Sequence, residues 1–324
     1  VLVAPDSFKG TFTAAQVAGA IGRGLERGGL APPDLCPVAD GGEGTMATLL
    51  GAMGGETAGA TVRDPLGRPV AAGFALVEDG GTAIVEVAEA SGLGRVAEAD
   101  RDAVAASTYG TGELIVAAAR TGAAVVLVAA GGSATTDGGA GAIEAIEAAG
   151  GLGGTRLVVL CDVRIPFEDA ARVFAPQKGA ADVATVRGLT NRLENLAGVL
   201  PRDPRGIPMG GAAGGLAGGL WARYDAHLEP GAPFVLGVLE LDERLAAASA
   251  VIVGEGRIDE QTAHGKVAGE IAARARAAGV PCHAIVGRDA LDAEGRAALG
   301  LRTVEEATTL AEQTDAAEAL AVLL

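Results

Sequence analysis

Six short apolar runs, each stopping at or just before an Asp or a Gly, recur along the chain. They are Val1–Ala4 before Asp6, Leu35–Ala39 before Asp40, Val125–Ala130 before Gly131, Leu157–Cys161 before Asp162, Val251–Val253 before Gly254 and Cys282–Val286 before Gly287. A strand that is apolar on both faces must be covered on both, which is the condition of a parallel sheet packed between helices. The intervening stretches supply those helices. Thr13–Arg27 sets Ala14, Val17, Ile21 and Leu25 at three- and four-residue spacing, and Glu113–Arg120, Ala142–Ala149, Ala181–Leu196, Lys266–Ala278 and Thr308–Leu323 look alike. The alternation predicts an α/β protein with ligands beyond the carboxyl ends of its strands.

The rhythm breaks once. Pro69–Leu76 and Thr82–Val87 read as strands joined by Glu-Asp-Gly-Gly, a hairpin signal. A second domain is therefore expected to start near residue 66 and to end near residue 245, before the strand at Ala250–Gly254. At 324 residues and 49% hydrophobic, the chain is long enough for two cores. Its 51 glycines fall singly or in pairs at the ends of apolar segments, as turns do.

Charge and cysteine usage exclude several classes. A net charge of −16 repels a duplex whose phosphates need Lys and Arg, so nucleic acid is not an expected partner. An anionic substrate must instead be held by local cations or backbone N–H groups. Cys36, Cys161 and Cys282 are odd in number, far apart and inside apolar runs, which fits reduced core thiols. No apolar run reaches about 18 residues, and the opening Val-Leu-Val-Ala-Pro-Asp reads as a strand rather than a charged leader. A soluble, cytoplasmic protein with no membrane partner is expected.

Four polar stretches follow the apolar runs. APDSFKGT (4–11) gathers a carboxylate, two hydroxyls and an ammonium at a strand-to-helix turn, either an anion site or a helix cap at Thr11 or Thr13. ADGGEGT (39–45) sets Asp40 and Glu43 beside permissive glycines, which suits Mg²⁺ or, alternatively, a capping-box variant. GGSATTDGGAGA (131–142) offers glycine backbone and three hydroxyls to an anion. GEGRIDEQTAHGK (254–266) mixes charges of both signs after an apolar strand, as a functional segment or, alternatively, a surface loop does. Lys178, in FAPQKGA (174–180), precedes a helix and either meets a phosphate or lies in solvent.

Familiar signatures fail. Glu260 and Val267 stand where a phosphate loop needs Gly and Ser or Thr; GEGRID (254–259) lacks the third Gly of a dinucleotide fingerprint; Thr135 stands where a nucleophile elbow needs Gly. His227, His264 and His283 are too scattered for a metal site, and His283 in an apolar run reads as a hydrogen-bonded core residue.

Together APDSFKGTFTA, VADGGEGT, YGTGELI, GGSATTDGGAGA, CDV, PQKGA, GGAAGGLAGGL and GEGRIDEQTAHGKV resemble, in order and spacing over nearly the whole chain, the type 1 glycerate kinase family. The resemblance implies ATP- and Mg²⁺-dependent phosphorylation of D-glycerate, usually at the 2-hydroxyl. It also implies a flavodoxin-like domain made from both chain ends, residues 1–65 and 246–324, interrupted by an inserted α/β domain, residues 66–245, with the active site in the cleft between them. Phosphoryl transfer needs positioning and charge neutralisation more than covalent chemistry. The expected catalytic residues are accordingly Asp162, Lys9, Asp6 and Arg257. Ser7, Asp40, Gly41, Gly42, Gly131, Gly132, Ser133, Thr135, Thr136, Lys178, Glu255, Asp259, Gln261 and Lys266 are expected to bind substrate or phosphate, and Asp40, Glu43 and Asp137 to bind the metal, Asp137 alternatively capping the next helix.

Two places depart from the family pattern: Arg164-Ile165-Pro166-Phe167-Glu168 replaces an Asn-Pro-Leu-containing segment, and Ala175 stands where Gly is common. The alternatives are a kinase or phosphatase of another small hydroxy acid and a two-domain anion-binding protein without chemistry. Association into a homodimer is left open.

Overall fold

The structure, a computed structural model, describes residues 1–260, 262 and 266–324. The strands are β1 (Leu2–Pro5), β2 (Asp34–Leu35), β3 (Glu56–Arg63), β4 (Pro69–Val77), β5 (Thr82–Glu86), β6 (Val125–Ala130), β7 (Arg156–Cys161), β8 (His227–Pro230), β9 (Val251–Gly254), β10 (Cys282–Val286) and β11 (Leu301–Glu306). The chain divides into two units, Val1–Asp40 with Ala232–Leu324, and Gly41–Gly231.

In the first unit the sheet order is β2-β1-β9-β10-β11, with every pair parallel. Counted within the unit, that is 2-1-3-4-5, the flavodoxin-like doubly wound order, whose switch point falls between β1 and β9. Val3, Ile252 and Ile285 on the strands pack with Val17, Ile21 and Leu25 of the helix Ala14–Arg27 and with Ala317 and Leu320 of the helix Leu310–Leu320. Thr13 starts the first of these helices in a reciprocal capping box with Gln16. The apolar run expected over Leu35–Ala39 is a strand only at its first residue. Cys36 and Val38 nevertheless donate to the carbonyls of Val3 (2.8 Å) and Pro5 (3.0 Å), so the backbone still tracks β1 as far as Val38.

The second unit has the order β3-β4-β5-β6-β7-β8. Its first three strands form an antiparallel meander, and β5 through β8 run parallel. The expected hairpin is β4 and β5. Val85, Val128 and Val159 lie side by side across the sheet, which aligns the carboxyl ends of β5, β6 and β7 at Glu86, Ala130 and Cys161. Phe167, in the segment that departs from the family pattern, is fully buried in a satellite core with Leu189 and Leu193. A side chain at Gly218 would come within 2.6 Å of its ring.

The unit boundaries differ from the expected 66 and 245. β3 pairs with β4 along its whole length, from Glu56↔Leu76 to Arg63↔Pro69, and so travels with the second sheet. At the other end, the helix Leu241–Ala246 is tied into the first unit by Arg244 to Asp34 (2.7 Å) and Asp242 to Arg274 (3.2 Å). Among the described residues no helix is long and apolar enough to cross a membrane.

Candidate functional site

In the first unit a cavity of about 510 Å³ opens beyond the carboxyl ends of β1 and β9, at the switch point. Asp6 leaves β1 buried, its backbone N–H on the Gly254 carbonyl (2.8 Å) and its carboxylate accepting from the Ser7 N–H (2.6 Å). Burial, then the neighbouring Asp40 carboxylate, push the Asp6 carboxyl up to about 8 against the pull of Lys9. Lys9 pairs with buried Asp40 at 2.9 Å. The Ser7 hydroxyl oxygen is buried and has no hydrogen-bond partner among the described residues.

The segment after β9 closes the other side of this cavity. Glu255 is buried and accepts from the Thr262 hydroxyl (2.7 Å); burial raises its pKa, opposed by the Lys266 ammonium 3.6 Å away. Arg257 is exposed and pairs with Asp259 (3.2 Å), while Lys266 donates to the Arg257 carbonyl (3.2 Å) and lies 3.5 Å from Asp259. Gln261 lies outside the described residues.

In the second unit a smaller cavity, about 100 Å³, sits beyond the carboxyl ends of β6 and β7. Gly131, Gly132 and Ser133 continue β6, and Asp162 continues β7; all four line it together with Lys178. Lys178 ends the short turn Pro176–Lys178 and is buried, donating to the Ser133 hydroxyl (2.9 Å) and the Thr135 carbonyl (2.7 Å). Burial pushes its ammonium down to about 8, opposed by the charges of Asp162 and Asp137. Gly131 marks a close approach of three segments. A side chain there would lie 2.5 Å from the Gly42 Cα and 3.1 Å from an Asp162 carboxylate oxygen.

Several expected residues are placed differently from their expected roles. Asp137 is wholly buried and accepts from the Thr108 N–H and hydroxyl (2.8 and 2.9 Å), the Gly139 N–H (3.1 Å) and the Gly141 N–H (3.2 Å). Asp137 thus joins two segments of backbone and, through the Gly139 and Gly141 N–H groups, caps the start of the helix Ala140–Ala148, the alternative the sequence offered. Thr135 and Thr136 are fully buried inside the wall rather than on its face, and Thr135 meets Lys178 through its carbonyl. Gly41 has φ of +96° and approaches Gly231, whose Cα would lie 2.5 Å from a Cβ at Gly41. The capping-box alternative for Asp40 and Glu43 is not formed, because the helix Thr45–Met53 takes Gly44 as N-cap without a side-chain cap. Asp40 belongs to the first unit and exposed Glu43 to the second. Among the described residues no three or more His, Cys, Asp or Glu side chains form a metal cage.

Sequence reasoning missed Glu86, a buried carboxylate at the end of β5, because it stands after an apolar run as an ordinary strand terminus. The run Thr82–Val87 with a charge in its penultimate place was the available signal.

A doubly wound unit with a polar cavity at its switch point, joined in one chain to a second sheet with its own cavity at the carboxyl edge, defines a class of α/β enzymes handling small polar ligands. The chain belongs to the glycerate kinase family, whose sequence pattern matches residues 1–150 and 147–322. It is 40% identical to a glycerate kinase of Halalkalibacterium halodurans over 89% of this chain and 85% of that one. It is 38% identical to the glycerate 2-kinase of Escherichia coli over 82% of this chain and 79% of that one. The crystal structure of a Salmonella typhimurium LT2 protein described as a glycerate kinase 2 superposes with a TM-score of 0.79 at 34% identity, covering 99% of this chain and 97% of that one.

Proposed function

We propose that this kinase transfers the γ-phosphoryl group of Mg²⁺-bound ATP to the 2-hydroxyl of D-glycerate. The observation that carries the reading is Lys178, a buried ammonium held by Ser133 and Thr135 in a cavity that Asp162 also lines. A three-carbon hydroxy acid needs a cation for its carboxylate and an acceptor for its hydroxyl proton, and a cavity of about 100 Å³ suits so small a molecule. Lys178 has three N–H donors, two of them engaged by protein, and meets the glycerate carboxylate with the third. Asp162 accepts the proton of the attacking hydroxyl as its oxygen bonds to the γ-phosphorus and the bond from that phosphorus to the bridging oxygen of ADP breaks.

The cavity of the first unit suits the nucleotide. At about 510 Å³ it lies in the range of ligand pockets for molecules of that size, and Lys9, Arg257 and Lys266 supply cations for phosphates in an otherwise acidic chain. Each of these cations is already matched by a carboxylate, so the site needs a further positive charge to hold a triphosphate. Asp6 and Asp40 fit that need: both are buried, a divalent cation would take the place of the proton that burial and the Asp40 charge keep on Asp6, and Mg²⁺ takes one or two carboxylates together with phosphate oxygens. When bound, Mg²⁺ neutralises charge on the phosphates. The Ser7 hydroxyl, without a partner among the described residues, is a ready donor to one of their oxygens.

The test is incubation with ATP, Mg²⁺ and D-glycerate, with the product identified by phosphorus NMR. The expected result is 2-phosphoglycerate and stoichiometric ADP, abolished by EDTA and restored by Mg²⁺. ADP release that does not depend on glycerate would overturn the reading, 3-phosphoglycerate would overturn the assignment to the 2-hydroxyl, and full turnover without divalent metal would overturn the role of Mg²⁺.

A further inference from the structure

Glu86 ends β5, paired with Ala129 of β6, and its side chain is almost entirely buried. Its carboxylate accepts the backbone N–H of Met46 at 2.7 Å and also faces the N–H of Gly44. These belong to the start of the nine-residue helix Thr45–Met53, whose N-cap Gly44 brings no side chain of its own. A helix start leaves backbone N–H groups without intrahelical partners, and a carboxylate is their best acceptor. Glu86 thus supplies from the sheet the cap that the helix lacks.

The capped segment is the one that touches the site. Gly42, two residues before Gly44, lies against Gly131 too closely for any side chain between them. The Glu43 carboxylate lies 3.5 Å from the corresponding point on Gly132. Fixing Gly44 and Met46 therefore fixes the turn Gly41–Gly44 against the wall Gly131–Ser133, from which Lys178 takes its partner hydroxyl.

We propose that Glu86 is a positioning residue for phosphoryl transfer, holding the Gly41–Gly44 turn against the glycine-rich wall through its bonds to the first turn of the following helix. The charges facing it, Glu89 and Glu43, are of its own sign, and Glu89 is itself engaged by Arg95 (3.2 Å) and the Gly73 N–H (3.1 Å). A buried carboxylate kept among like charges is poorly explained by stability alone, since capping by a neutral side chain would avoid the burial of charge. The inference rests on the reading of this wall as part of the kinase site, and two independent measurements test it.

Glu86→Gln keeps the volume but turns one acceptor into a donor facing the same N–H groups. Hydrogen–deuterium exchange of residues 42–46 is expected to accelerate at least tenfold in this variant, while kcat falls about tenfold to a hundredfold with KM for either substrate changed less than threefold, as misplacement of a reacting geometry predicts. A purely structural role would lower Tm and leave kcat per folded molecule alone. Should Glu86→Gln not fold, Glu86→Asp keeps the charge, shortens the reach and is expected to show the same kcat loss at a Tm near that of the wild type. Unchanged exchange over 42–46, or a kcat within twofold of wild type in the folded variant, overturns the proposal. Wild-type protein assayed alongside separates the two ideas: if it makes no phosphoglycerate the kinase reading fails, and the exchange comparison still decides the role of Glu86.

Discussion

Lys178 carries a charge into the interior at a cost that its neighbours offset only in part. With its ammonium pushed down to about 8, the charged form dominates at pH 7 and is lost as pH rises through that value. If the ammonium holds the glycerate carboxylate, kcat/KM for glycerate should fall about tenfold per pH unit above pH 8, since that ratio reports the free enzyme. Lys178→Arg should remove this alkaline limb, because a guanidinium stays protonated. A limb that survives unchanged in the Arg variant would assign it to another group. Asp6 gives the opposite kind of handle. Its carboxyl sits at about 8 in the folded chain against 3.8 for the free side chain, so between about pH 4 and pH 8 the folded state keeps a proton that the unfolded state releases. Wild-type stability therefore falls as pH rises across that window, and Asp6→Asn should lack the loss. In metal-free buffer the Tm advantage of the variant should grow by on the order of several degrees between pH 5 and pH 9. A Tm difference independent of pH would mean that Asp6 is ionised throughout.

At the scale of elements, the site depends on how closely strand ends and glycine turns approach one another. Gly131→Ala would push its methyl to 2.5 Å from the Gly42 Cα and toward an Asp162 carboxylate oxygen, and the nearer of these neighbours is backbone, which no side-chain rotation can clear. Backbone must shift, so turnover should fall by about a hundredfold or more, in line with the cost of a displacement near 1 Å. A Gly131→Ala enzyme with wild-type kcat would show that the turn and the wall need not meet. The strands that build this site were legible because they are buried on both faces: β6 and β10 coincide with apolar runs read from the sequence, and β7 and β9 differ by one residue. β3, β8 and β11 were not legible. Glu56–Arg63 and Leu301–Glu306 alternate small, charged and polar residues at sheet edges, and His227–Pro230 is only four residues long with a proline at its end. The candidate site was legible in the same measure. Asp6, Lys9, Asp40, Asp162 and Lys178 were found from their place after strands or in glycine-bounded turns. The bridge from Asp137 to Thr108, unlike its cap on the following helix, was hidden because the partner lies 29 residues away. Glu86 was hidden because its function is to bind backbone 40 residues distant.

The whole molecule carries sixteen net negative charges, yet the substrates proposed for it are anions, so binding must be local. Both cavities meet this with buried or paired cations at strand ends, and neither depends on the average field, which salt screens over about 8 to 10 Å. The chain crosses from the first unit to the second at residues 40–41 and back at 231–232. Within the second unit the two ends touch, since a Cβ at Gly41 would lie 2.5 Å from the Gly231 Cα. Adjacent termini are the property that lets a domain be inserted into another without disturbing either core. This unit also has its own six-stranded sheet and a contiguous core running from Val62 and Phe74 through Val128 and Val159 to Leu220. A fragment of residues 41–231 is therefore expected to fold alone, because cutting both crossings removes no strand from its sheet. Its urea unfolding, followed by far- and near-ultraviolet circular dichroism, should give one cooperative transition with coincident midpoints. A fragment with helical signal but no near-ultraviolet signal, and with exposed apolar surface detected by dye binding, would be a molten state and would show that the second core is completed only in the full chain.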